Sequence, residues 1–190
     1  MLSRITTTAL RRSRTTALRS MSSGSDRPEP QQVDSLLQIG SRRIYDSTHD
    51  AYRESVRNFY QDQCVPFHEE WENKGEVPRE LWQDAGANGM LSVTVPDEYG
   101  GMGLDILFSS INWQEQSYAG TTGPGWALHS EIVAPYLVHY GTEEQKQEWL
   151  PKMVTGDAIT AIAMTEPGAG SDLQGMRTTA VKDGDDYIIN

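Results

Sequence analysis

The sequence predicts an α+β chain: an all-helical body followed by the opening of a β-domain. Three observations carry that expectation. Apolar residues recur at three-to-four spacing between Ile44 and Gly156, the period of a helix with one buried face. Past Gly156 the pattern shortens to a compact apolar run, Ala158 to Met164, and then to Thr- and Val-bearing segments around Asp183-Gly184. Glycines in Asp97 to Gly103, at Gly120 to Gly125 and at Gly141 separate the helical segments. The 190 residues are room for one such body and part of a second domain.

The first helix is expected from Ile44 to Cys64, with Tyr52, Val56, Phe59 and Tyr60 on its apolar face and Pro66 as its stop. Pro78, pre-set for a first helical turn, starts a second helix through Leu81, Trp82 and Ala85, which Gly86 and Gly89 weaken. Leu91, Val93 and Val95 alternate briefly before Pro96, and Asp97 to Gly103 reads as a glycine-rich loop. Leu104, Leu107, Phe108 and Ile111 then form a helical stripe that Gly120 and Gly123-Pro124-Gly125 end. Trp126 to Tyr140 makes another helix, stopped by Gly141. Thr142 followed by Gln145 is a capping box opening a helix that turns Trp149 and Leu150 toward the core. Ala158 to Met164 is short enough for a buried strand, Asp183-Gly184 is a turn signal, and Tyr187-Ile188-Ile189 starts a returning strand.

Charge divides the chain. There are 16 Lys+Arg against 27 Asp+Glu, a net of −11, yet Arg4, Arg11, Arg12, Arg14 and Arg19 all precede the first acid, Asp26. Residues 1–25 therefore carry +5 and the remainder −16. Such an acidic body repels phosphate, so neither nucleic acid nor an anionic membrane is an expected partner. Residues 1–21 hold five Arg and eight Ser/Thr with no acid. At 100° per residue the arginines share one arc, opposite Leu2, Ile5, Ala9, Leu10, Ala17 and Met21, with Leu18 alone misplaced. That amphipathic basic pattern predicts a mitochondrial transit peptide at residues 1–24, the alternative being a disordered basic tail; residues 25–43 read as linker. No run approaches the roughly 18 to 20 apolar residues of a membrane span. Cys64, the single cysteine, has no thiol to pair with and reads as a buried small apolar residue.

The stretch most suggestive of chemistry is Thr165-Glu166-Pro167-Gly168-Ala169-Gly170-Ser171-Asp172. Its small residues let main-chain N–H groups approach a ligand, and Thr165 and Ser171 add hydroxyl donors, so it suits an anion or a polar cofactor edge as well as a plain turn. Leu173 stands where a dinucleotide fingerprint needs its third glycine, and Met176 follows Gly175 where a P-loop needs lysine. Glu115, four residues after Ile111 on the apolar stripe, reads as a paired or edge carboxylate, with a functional buried acid as the alternative. His49, His68, His129 and His139 lack metal-ligand spacing and read as packing or surface residues.

Ile162-Ala163-Met164-Thr165-Glu166-Pro167-Gly168-Ala169-Gly170-Ser171-Asp172-Leu173-Gln174-Gly175 resembles the flavin-binding segment of the acyl-CoA dehydrogenases. Val95 to Asp105 is similar to that family's glycine-rich loop, Tyr140 to Lys146 to its capped helix start, and Asp183 to Asn190 to its first β-hairpin. Gly123 to Trp126 with His129-Ser130, and Met164 with Asp172 to Gly175, look most like its long-chain mitochondrial type. The resemblance implies a helical domain at 44–157 and, at 158–190, the start of a middle β-barrel-like domain. A C-terminal helical domain is expected to lie outside these residues.

It also implies FAD as cofactor, with Ile162, Ala163, Met164, Thr165, Glu166, Pro167, Gly168, Ala169, Gly170 and Ser171 lining it. Thr165 would bond the isoalloxazine, and Ser171 would be shared with the acyl-CoA substrate. The implied reaction is α,β-dehydrogenation of a fatty acyl-CoA to the trans-2-enoyl-CoA, with electrons passed to electron transfer flavoprotein in the mitochondrial matrix by a homotetramer. The family's glutamate base is expected beyond Asn190, so no catalytic residue is assigned here, and Glu166 reads as structural. Trp126 is a candidate to shape an acyl channel. The readings weighed against this are a flavin-free, non-catalytic helical module and, among enzymes, an acyl-CoA oxidase.

Overall fold

In the structure, a computed structural model, residues 44–190 are described; the transit-peptide and linker expectations lie outside them. Helix α1 spans Ser47–Phe59 and begins with a reciprocal cap: the Asp46 carboxylate accepts from the Thr48 and His49 main-chain N–H groups, and the His49 ring returns a contact to the Asp46 backbone. Its buried face, Val56 and Phe59, continues onto Tyr60 and Cys64 of a π-helical turn, Tyr60–Cys64. Pro66 does not end the helical course. It sits in the first turn of a 3-10 segment, Val65–Phe67, where its missing N–H costs nothing, and the chain runs on into α2, His68–Lys74.

Helix α3, Arg79–Ala87, starts directly after Pro78 and buries Leu81, Trp82 and Ala85. Leu91 to Val95 form turns, with Leu91, Val93 and Val95 all buried. Among them Ser92 adopts φ +50°, and its main-chain N–H donates to the Ser130 hydroxyl at 2.9 Å. Helix α4, Ile106–Ala119, is capped by the Asp105 carboxylate, so Leu104 falls outside it. The helix expected over Trp126–Tyr140 is one course in three pieces: α5, Trp126–Leu128, a π turn, His129–Val133, and α6, Ala134–Tyr140. Helix α7, Glu143–Thr155, carries the Thr142/Gln145 capping box as expected.

Two apolar clusters hold the helices together. One gathers Val56, Phe59, Tyr60, Trp71, Leu81, Trp82, Met90 and Trp126; the other gathers Val95, Tyr99, Ala134, Leu150 and Met153. Each large side chain so buried contributes about 1.5–3 kcal/mol. Leu150 reaches the core as expected, but Trp149 faces outward at 42% exposed, with the Lys152 ammonium over its ring. Leu150 and Met153, three apart, fix the buried stripe of α7 and leave Trp149 off it.

Past Gly156 two expectations divide. The hairpin forms: β1, Ala180–Asp183, pairs antiparallel with β2, Asp186–Ile189, in the register Ala180↔Ile189 to Asp183↔Asp186. Gly184, at the first corner of the two-residue loop, takes the positive φ of +64° that a type II′ turn requires. Ala158 to Met164, by contrast, is neither a strand nor buried; Ile159 and Met164 are each 39% exposed. Apolar, β-branched composition favours extension, but a strand exists only against a hydrogen-bonded neighbour, and none of the described residues lies alongside. Both faces of the hairpin are exposed as well. No described helix is long and apolar enough to cross a membrane.

Candidate functional site

The Thr165–Ser171 loop is built on one tight turn. Glu166 and Ala169 exchange both main-chain hydrogen bonds at 3.0 Å, leaving Pro167 and Gly168 at the corners. Proline pre-sets the φ of the first corner, so the local sequence dictates the bend. Glu166 then ties this turn to the segment beyond it. Its carboxylate accepts the Thr178 hydroxyl, the Arg177 main-chain N–H and, at 3.0 Å, the Thr178 main-chain N–H. The Thr178 hydroxyl, followed by the Arg177 amide, holds the carboxyl below the usual glutamate range. A carboxylate saturated in this way is a brace, which agrees with the structural role expected from the sequence.

The rest of the loop faces out. Thr165, Gly168, Gly170 and Ser171 are exposed, and Ala169 alone in the loop is buried. A side chain placed at Gly168 or Gly170 would meet nothing within 4 Å. Among the described residues the main-chain N–H groups of Gly168, Gly170 and Ser171 and the hydroxyls of Thr165 and Ser171 find no protein acceptor. The result is a ridge of unspent donors on a braced turn. Such a donor set fits the acceptor nitrogens and oxygens of a flavin ring edge, and it carries no cation to fit a bare phosphate. Ile162, Ala163 and Met164 lead into this ridge as an irregular, partly exposed segment.

The segment is anchored from behind by a residue that sequence reasoning left as packing. His129 is fully buried, with its Nε2 3.0 Å from the Met153 carbonyl. A carbonyl only accepts, so Nε2 carries the proton and Nδ1 is the acceptor. Nδ1 receives the Thr160 main-chain N–H at 3.2 Å and the Thr160 hydroxyl at 2.9 Å. Burial pushes the imidazole pKa down, against the opposing Met153 contact, and so favours the neutral ring. A lone histidine in an apolar helix gives no sequence signal of a partner 31 residues away.

The remaining candidates separate cleanly. Glu115 is buried and doubly paired: Arg53 Nη1 donates to one oxygen at 2.8 Å and Arg57 Nε to the other at 3.0 Å. It is a structural carboxylate joining α1 to α4. Cys64 is buried, and burial pushes its thiol up to about 12. His49 is buried beside Asp46, His68 pairs with Glu72 at 3.2 Å, and His139 is exposed. No group of three or more His, Cys, Asp or Glu among the described residues could hold a metal. Trp126 lies in the core against Phe59, Tyr60 and Trp82. It also lines a small recess shared with Ser109, Asn112, Gln116 and Ser130. A residue that sequence reasoning missed, Glu131, edges the same recess; its carboxylate accepts the Ser109 hydroxyl at 2.6 Å, and burial raises its pKa against that bond.

Comparison with known proteins bears on this arrangement. The family model described as acyl-CoA dehydrogenase, N-terminal domain, matches residues 46–157. The long-chain specific acyl-CoA dehydrogenase of Rattus norvegicus mitochondria is 52% identical over 164 residues, which are 86% of this chain and 38% of the rat protein. Among solved structures, an acyl-CoA dehydrogenase from Geobacillus kaustophilus superposes with a TM-score of 0.75 at 49% identity, over 78% of this chain and 39% of that one. A glutaryl-CoA dehydrogenase from Mycobacterium smegmatis, solved with FADH2, superposes with a TM-score of 0.73 at 31% identity, over 80% of this chain and 39% of its own. The chain thus spans about two fifths of the length of the relatives it matches.

Proposed function

The chain belongs to the acyl-CoA dehydrogenase family, and from that premise we propose that the whole protein dehydrogenates fatty acyl-CoA thioesters to trans-2-enoyl-CoA with FAD as cofactor. Long-chain substrates are its preferred class, a reading supported by the likeness to the rat long-chain enzyme. The observation that carries the proposal is the ridge from Thr165 to Ser171: unspent hydroxyl and main-chain donors held outward on a turn that Glu166 braces. When bound, FAD supplies the hydride acceptor for α,β-dehydrogenation.

The residues of this chain then bind and orient. Thr165 donates its hydroxyl to the isoalloxazine edge, where a fixed donor favours the negative charge of reduction. Ser171 donates between cofactor and acyl-CoA. Gly168 and Gly170 keep the main chain open to close approach, and Ile162 to Met164 supply the wall beside it. Residues 44–157 are the helical domain, and 158–190 open the middle β-domain. Glu166 is spent on the Arg177 and Thr178 donors and Glu115 is locked to two arginines of α1, so neither is placed to remove a proton. The family likeness supports electron transfer flavoprotein as electron acceptor, a homotetramer as the assembly and the mitochondrial matrix as the site of action.

Anaerobic addition of palmitoyl-CoA to the whole protein tests this. Bleaching of the flavin absorbance is expected, with recovery on adding electron transfer flavoprotein. No bleaching overturns the proposal, and rapid recovery by oxygen alone with release of peroxide identifies an oxidase instead.

A further inference from the structure

The segment that carries the chain from α7 to the flavin ridge has almost no hydrogen bonds of its own. Among the described residues, from Ile159 to Thr165 the main-chain N–H of Thr160 alone is bonded to a protein acceptor, and that acceptor is His129 Nδ1. Its hydroxyl reaches the same nitrogen. On the other side of the ring, Nε2 is spent on the Met153 carbonyl in the last turn of α7. The Trp82 ring packs against the imidazole edge-on, with centroids 5.4 Å apart. His129 also opens the π turn, whose wide ring closes from the Ala134 N–H onto the His129 carbonyl. Such π turns are frequent at functional sites. One buried residue therefore joins the π turn, the end of α7 and the approach to the ridge.

We propose that His129 is a positioning residue: it clamps Thr160 to the helical body and so sets how the Thr165–Ser171 ridge is presented to the cofactor. The proposal rests on the reading of that ridge as a flavin wall. The clamp works from one side of the imidazole only, which makes it separable from the packing of the ring. His129→Gln extends its amide toward the Met153 carbonyl and gives up the acceptor for Thr160. His129→Asn places its side-chain oxygen close to the Nδ1 position and keeps that acceptor. Thr160→Val removes one of the two donors and preserves side-chain shape.

The test is amide hydrogen exchange on the whole protein, read at the residue 160 amide against the amides of the helical core, together with the rate of FAD release. Loss of a net hydrogen bond speeds local opening by about tenfold or less. His129→Gln is expected to accelerate exchange at the residue 160 amide about tenfold, Thr160→Val by a smaller factor, and His129→Asn very little, with FAD release following the same order. A purely structural role would instead make the Gln and Asn variants alike and raise exchange throughout the core; that result overturns the clamp. The expected exchange order with FAD release unchanged in every variant overturns the positioning role. If the wild-type protein retains no FAD, the flavin reading fails on its own, and the exchange order still decides whether the clamp exists.

Discussion

Arg53 donates from Nη1 to Glu115 at 2.8 Å inside the helical body, where the Glu115 side chain is only 2% exposed. Arg57 closes the other oxygen from a more open position, its side chain 39% exposed. A buried carboxylate between two guanidiniums contributes less by its own attraction than by what its loss would strand. Glu115→Ala leaves Arg53 buried without its charge partner, though still bonded to the neutral Gln114 side chain at 3.0 Å, and is expected to cost about 3–5 kcal/mol. Arg57→Ala, at the exposed side, is expected to cost about 1 kcal/mol or less. Urea unfolding followed by tryptophan fluorescence measures both; equal effects would contradict this assignment of the pair.

Glycine is required at Gly156 for two reasons at once. Its φ is +79°, and an added side chain would land on the Trp82 carbonyl of α3, locking α7 against that helix. Gly184 shares the positive φ, at +64°, but has open space around it. Gly156→Ala is therefore expected to destabilise by more than about 2 kcal/mol, and Gly184→Ala by about 1 kcal/mol. Thermal unfolding distinguishes them, and the reverse order would refute the close packing of α3 on α7.

Glu131 makes stability depend on pH. Burial raises its pKa above the ordinary glutamate value, and the Ser109 hydroxyl only partly offsets this. The folded chain thus holds the proton to a higher pH than the unfolded chain does. The penalty is absent below the unfolded pKa, grows as pH rises between the two values, and is complete above the folded one. Glu131→Gln keeps an acceptor for Ser109 and is expected to raise the melting temperature at pH 7, with the gain vanishing near pH 4. A gain that persists unchanged at low pH would exclude titration of Glu131 as its source.

Cys64 is expected to be silent. With the thiol buried and pushed up to about 12, almost no thiolate is present at pH 8. Reaction with a disulfide reagent should be slow in the native protein and stoichiometric in urea. Rapid native labelling would show that the π turn opens.

These contrasts also mark what could be read in advance. The capping box at Thr142 and Gln145, the turn at Gly184 and the helical stripe through Ile111 are local, so residue type and spacing suffice for them. Ala158 to Met164 misled because propensity describes one segment and a strand needs two. Pro66 misled because proline both ends and begins helical turns, and only the chain beyond it shows which. The π turns shift a ring closure by one residue without any change in composition. At the site, the glycines and hydroxyls of the ridge were legible as chemistry. The clamp from His129 to Thr160 and the pairing of Glu115 with Arg53 and Arg57 were not, because each depends on residues 31 to 62 positions apart.

The direct test of the ridge is FAD binding by the whole protein, compared with a variant that lacks both hydroxyl donors, Thr165→Val with Ser171→Ala. Both residues are exposed and make no hydrogen bond among the described residues, so the fold should not change. The wild-type protein is expected to hold FAD stoichiometrically, and the double variant to bind it at least about tenfold more weakly at unchanged melting temperature of the apoprotein. Equal affinity in the two proteins, or a wild-type protein that binds no FAD, would contradict the assignment of Thr165 to Ser171 as the cofactor wall.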